Sequence, residues 1–109
     1  MGFQINCEKN AENTLVLHLE GDLDVSSSPR LKSEFLDAYE ADPGDVILDL
    51  AGLDYLDSTG LGVFLSILKR IRQEEHQLKM VHLKASIRKL FYITELDQEF
   101  DLEEPHESC

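Results

Sequence analysis

Five consecutive residues, Val46-Ile47-Leu48-Asp49-Leu50, leave this chain few folds to choose from. The run is nearly unbroken apolar, as in a central strand of a sheet covered on both faces. A helical pattern follows closely: Leu61, Phe64, Leu65, Leu68 and Ile71 fall on one side of a helix reaching about residue 75. Another apolar strand, residues 78–83 with Met80 and Val81 inside it, comes next. Strand, helix and strand in that order form a right-handed crossover with parallel neighbours.

The flanking segments extend the same plan. Phe3, Ile5 and Cys7 alternate with Gln4, Asn6 and Glu8, and Leu15, Leu17 and Leu19 alternate with Val16, His18 and Glu20. A polar turn over residues 9–13 joins them, which predicts an antiparallel hairpin. Gly21-Asp22-Leu23-Asp24 closes the second strand. Ser26-Ser27-Ser28-Pro29 starts a helix with a serine cap and an early proline. Leu31, Phe35, Ala38 and Tyr39 give that helix its apolar side, and Asp42-Pro43-Gly44 stops it. Ser86 is placed to cap a short third helix holding Ile87, Leu90 and Phe91, and Phe100 and Leu102 make a last edge strand or a packed tail. The expectation is one α/β domain over residues 1–102. Its sheet is mixed and four- to five-stranded, with an N-terminal β-hairpin and three to four helices on one or both faces. Residues 103–109, charged and ending in Pro-His-Glu-Ser-Cys, read as a disordered tail.

Charge narrows the function. The net charge is −12 and the pI about 4.5, which argues against direct nucleic-acid binding or an anionic membrane surface. Residues 1–60 carry 13 acidic and 3 basic side chains, residues 61–94 carry 7 basic and 2 acidic, and residues 95–109 carry 7 acidic and none basic. The basic strip of Lys69, Arg70, Arg72, Lys79, Lys84, Arg88 and Lys89 reads as solvated helix and strand-end charge. Cys7 and Cys109 are too far apart in sequence to suggest a disulfide framework or metal site. His18, His76, His82 and His106 are scattered and read as isolated surface or edge histidines, with no metal-ligand spacing. No nucleophile elbow or Walker loop is present, which argues against an enzyme. Asp-Ser-Thr-Gly differs from the Asp-Ser/Thr-Gly of aspartic proteases by one inserted residue. The apolar run at residues 61–68 is too short to span a bilayer, so the chain reads as cytoplasmic, without membrane insertion.

The chemistry concentrates between the central strand and its helix, at Asp57-Ser58-Thr59-Gly60. Asp, Ser and Thr are capping residues, and the first N–H groups of a helix lack partners within it and favour negative charge. A hydroxyl there is a good place for a phosphate. Glycine in a helix costs about 1 kcal/mol relative to alanine, so Gly60 and Gly62 suggest that something approaches the backbone closely. Ser58 is the expected phosphorylation site, with Thr59 the rival acceptor. The corner ends the acidic block, so a partner docking on it would present positive charge.

The stretch from Val46 through Asp57-Ser58-Thr59-Gly60-Leu61-Gly62 resembles the anti-anti-sigma factors (anti-sigma factor antagonists) of bacteria, which are stand-alone STAS domains. Gly21-Asp22-Leu23-Asp24 resembles the family's pattern before its first helix. The resemblance implies partner switching. The unphosphorylated protein would bind an anti-sigma factor that is also a serine kinase, freeing a sigma factor for transcription. That kinase would phosphorylate Ser58 and end the complex, and a serine phosphatase would reset it. Asp24, Asp57, Ser58, Thr59, Gly60, Leu61 and Gly62 would form the partner site. No cofactor of its own is implied, since ATP and Mg would belong to the partner kinase. The alternative within the family is a STAS accessory subunit of a transport or signalling complex that is not phosphorylated.

Overall fold

The computed structural model describes residues 2–103. His106, Cys109 and most of the expected disordered tail lie outside the described residues. The elements are strands β1 (Phe3–Lys9) and β2 (Leu15–Leu23), helix α1 (Ser28–Ala41), strand β3 (Val46–Leu56), helix α2 (Ser58–Gln73), strand β4 (Leu78–Val81), helix α3 (Ala85–Ile93), a 3-10 turn (Leu96–Gln98) and strand β5 (Asp101–Leu102). They build one five-stranded sheet in the order β1-β2-β3-β4-β5. The β1–β2 pair is the expected antiparallel hairpin, and every later pairing is parallel.

β3 is twice as long as its apolar run suggested. Its register against β2 slips twice: His18 faces Asp49 but Glu20 faces Gly52, and Asp22 faces Tyr55. Such bulges re-phase the side chains. The inward positions therefore run Val46, Leu48, Leu50 and then Leu53 and Leu56, all buried.

Among the described residues the helices cover one face of the sheet only, which corrects the expectation for β3. Val46, Leu48 and Leu50 join a single core with Leu31, Phe35 and Tyr39 of α1, Phe64, Ile67 and Ile71 of α2, and Ile87 and Phe91 of α3. The alternate positions Ile47 and Asp49 lie half-buried on the other face. A branched residue beside one charged residue hid the alternation. Leu65, expected inside, is 37% exposed, and Ile67 takes the inward position. α3 begins at Ala85, with Lys84 preceding it and no side-chain cap, so Ser86 does not cap it. Phe100 is buried edge-on to Phe91, ring centres 5.5 Å apart, and seats the turn that leads into β5.

Candidate functional site

β2 and β3 end side by side, and their ends make the corner. The Asp57 N–H donates to the Leu23 carbonyl (3.4 Å), fixing where β3 stops. Asp57 is extended (φ −114°, ψ −172°) and caps α2. Its Oδ1 accepts from the Thr59 N–H (3.0 Å), the Gly60 N–H (3.2 Å) and the Thr59 hydroxyl (2.6 Å). The Leu61 N–H goes to the Asp57 carbonyl (3.0 Å). Two of the first-turn donors expected to favour a phosphate, the Thr59 and Gly60 N–H groups, are thus already taken by the chain's own carboxylate. The Thr59 hydroxyl holds the Asp57 carboxyl below the usual range against some desolvation, aided by the Gly60 and Thr59 N–H groups; Asp24 pulls the other way.

The two candidate hydroxyls differ. Thr59 Oγ1 is bound to Asp57 and lies 3.3 Å from the hydroxyl of Ser28, a buried residue in the first turn of α1. Ser58, the first residue of α2, is exposed, and its hydroxyl bonds to no described residue.

Asp24 organises the entrance to α1. Its Oδ1 accepts from the Ser26 N–H and hydroxyl (3.0 and 2.8 Å) and from the Ser27 N–H and hydroxyl (both 3.2 Å). The Ser26 hydroxyl bond leads in holding this carboxyl below its ordinary value. The serine cap expected for α1 is different in kind. Ser27 occupies the cap position without a side-chain capping bond, and its hydroxyl donates to the Asp22 carbonyl (2.8 Å).

The two glycines also separate. A methyl on Gly60 would lie 2.5 Å from Leu56 Cδ1 and 2.9 Å from Leu23 Cγ, so the chain's own leucines require that glycine. A methyl on Gly62 would meet nothing within 4 Å. Val25 (71% exposed) and Tyr55 (50%) flank the corner in sequence and were not singled out from it. Their signal was a large apolar side chain directly after an aspartate, Asp24 and Asp54.

The family model for the STAS domain matches residues 4–109. This chain belongs to the STAS domain family. The anti-sigma-B factor antagonist of Listeria monocytogenes is 33% identical over 97 residues, which cover 88% of this chain and 84% of that protein. Among solved structures, an anti-sigma factor antagonist from Mycobacterium paratuberculosis superposes with a TM-score of 0.84 at 20% identity, over 95% of this chain and 87% of that one. The Bacillus cell fate determinant SpoIIAA in its phosphorylated form gives 0.72 at 19% identity, over 93% and 92%. In this STAS domain, Ser58, Thr59 and Gly62 face outward, while Gly60 and Leu61 are buried and shape the corner from beneath. Asp24 and Asp57 are half-buried, and each is committed to its own loop.

Proposed function

We propose that this protein is an anti-sigma factor antagonist whose switch is the hydroxyl of Ser58. The observation that carries it is the exposed Ser58 side chain, free of hydrogen bonds to any described residue, at the head of a capped helix. A kinase can take that hydroxyl without dismantling the fold. Thr59 is not equivalent, because its hydroxyl is held by Asp57. The name of the Listeria relative and the phosphorylated form of SpoIIAA support the same role.

Unphosphorylated, the corner binds an anti-sigma factor that is also a serine kinase, and a sigma factor is freed. Ser58, Thr59 and Gly62 supply its surface, Asp24 and Asp57 its negative charge, and Gly60 and Leu61 its shape. ATP and Mg are carried by the kinase, and a serine phosphatase resets the switch. The protein acts in the cytoplasm by binding, without catalysis of its own and without direct nucleic-acid contact.

A phosphate adds about −1.5 to −2 charges. It arrives at the residue next to Asp57, with Asp24 close enough to act on the Asp57 carboxylate, and the Thr59 and Gly60 N–H groups are already taken. The added charge joins two carboxylates, so a cost falls on any partner surface pressed against it. About 1.4 kcal/mol suffices for each tenfold loss of affinity.

The test is intact mass after incubation with the candidate anti-sigma kinase and Mg-ATP, followed by binding. Wild type gains one phosphate and Ser58→Ala none, and Ser58→Asp binds at least tenfold more weakly while unfolding at the same temperature. Phosphate on Ser58→Ala, or undiminished binding by Ser58→Asp, refutes the proposal. No phosphate on folded wild type favours the accessory-subunit role.

A further inference from the structure

The face of the sheet opposite the helices carries a row of charged groups that the proposed switch does not use. His18 on β2 lies between two carboxylates: Nε2 is 2.5 Å from Glu8 Oε2 on β1, and Nδ1 is 2.7 Å from Asp49 Oδ2 on β3. The other oxygen of Asp49 lies 2.9 Å from Nδ1 of His82, just past β4, and also accepts the Ala51 N–H. The backbone N–H of His82 donates to Glu103 Oε1, just past β5 (2.9 Å). Acid and base thus alternate across the whole sheet: Glu8, His18, Asp49, His82, Glu103. This corrects the expectation of isolated histidines for His18 and His82, and for His76, which lies 2.8 Å from the Tyr39 hydroxyl.

The chemistry of His18 follows from its two contacts. A neutral imidazole has one donor and one acceptor nitrogen. A carboxylate can only accept, so a ring with a carboxylate at each nitrogen satisfies both bonds only as the imidazolium. We propose that this row is a proton-held clasp, which ties β1, β2 and β3 together while His18 is protonated and loosens the hairpin when that proton leaves to solvent.

The surroundings act in the same direction. His18 touches Glu8 from β1 and Asp49 from β3, and the same face of the sheet carries its strand neighbour Glu20, Lys79 and His82 on and after β4, and Asp101 and Glu103 on and after β5. Carboxylates outnumber Lys79, so the local field favours the cation. The bond to Glu8 raises the affinity of His18 for its proton most; partial burial opposes it, and Asp49 adds to it. Partial burial disfavours charge on Asp49, but hydrogen bonds from His82, the Ala51 N–H and His18 outweigh that and hold it ionised. A histidine whose folded affinity is raised adds stability that is complete below its unfolded value and is lost as pH rises through the folded one. The clasp is therefore tight in acid and loosens in alkali. It does not depend on the Ser58 proposal.

Long-range proton–nitrogen NMR of the imidazole groups in the intact protein, titrated from about pH 5 to pH 9, tests this directly. The His18 ring is expected to carry two N–H groups at neutral pH and to titrate above free histidine. Glu8→Gln, an exposed change on an edge strand, should bring its midpoint down. The melting temperature of wild type should fall more between the two ends of that range than that of His18→Gln. A His18 midpoint at or below that of free histidine, or one unmoved by Glu8→Gln, overturns the proposal. Parallel pH profiles for wild type and folded His18→Gln overturn it as well. If His18→Gln does not fold, the wild-type and Glu8→Gln titrations decide.

Discussion

Gly60→Ala and Gly62→Ala change residues two apart on one helix and are expected to move stability in opposite directions. At position 60 the new methyl falls 2.5 Å from Leu56 Cδ1, 2.9 Å from Leu23 Cγ and 3.0 Å from Leu23 Cδ2. Leu23 is fully buried and Leu56 nearly so, which leaves neither an open route of retreat. Overpacking of this kind costs about 1–3 kcal/mol. The intrinsic preference of a helix for alanine returns less than about 1 kcal/mol, because residue 60 lies in the first turn. The net is a loss of up to about 2–3 kcal/mol. At position 62 the methyl meets no atom within 4 Å, so only the propensity gain of about 0.8–1 kcal/mol remains. The variants should therefore differ by about 1–4 kcal/mol. With a urea slope of about 1–3 kcal/mol per molar, their unfolding midpoints separate by roughly 1 M. Partner binding supplies the second half of the assay. Gly62→Ala, although more stable than wild type, should bind the anti-sigma factor more weakly, because its methyl projects from the outer surface of the corner. A Gly60→Ala variant as stable as Gly62→Ala would refute the packing account. Full-strength binding by Gly62→Ala would show that the partner does not approach that backbone.

Two further outcomes follow from the packing and the cap. Phe91→Ala removes a fully buried ring that lies 6.4 Å from Phe64 and 5.5 Å from Phe100, and should cost about 3–5 kcal/mol in urea unfolding, with β5 losing amide protection first. Asp57 has a folded proton affinity below its ordinary one, so its charge contributes stability above the usual carboxylate range, about pH 4, that is lost as pH falls through the folded value. Acid unfolding of Asp57→Asn, which keeps a capping oxygen, should accordingly be less steep than that of wild type.

Most of the architecture was legible because its signals are local. The hairpin, the crossover through α2 and the apolar positions of α1 each follow from a period of two or of three to four residues. What escaped depends on contacts between distant segments. The bulge in β3 is visible only against β2, and it carried the strand six residues past its apolar run. The open face was masked because Ile47 is branched and apolar yet only half-buried. The switch stretch could be located from residue types, but the distinct positions of Ser58 and Thr59, and of Gly60 and Gly62, come from Asp57, Ser28 and Leu23 reaching them in space. The His18–Asp49–His82 row joins residues on β2, on β3 and just past β4 whose spacing in sequence carries no pattern.

The strands lie across the sheet in the order in which they occur along the chain. No strand has to be inserted between two already paired, so the sheet can grow from one edge as the polypeptide leaves the ribosome, at about 5–20 residues per second. β1 and β2 pair first, β3 adds to β2, and each later strand joins the edge left by the one before it. The growing edge is always the newest strand, and the apolar face of β3 waits for α2, the next segment to emerge. An arrest once residue 73 has left the ribosome would hold three strands and two helices with Leu48 and Leu50 already covered in part by Phe64 and Ile67, whereas an arrest before residue 58 has emerged would leave that face bare and open to aggregation.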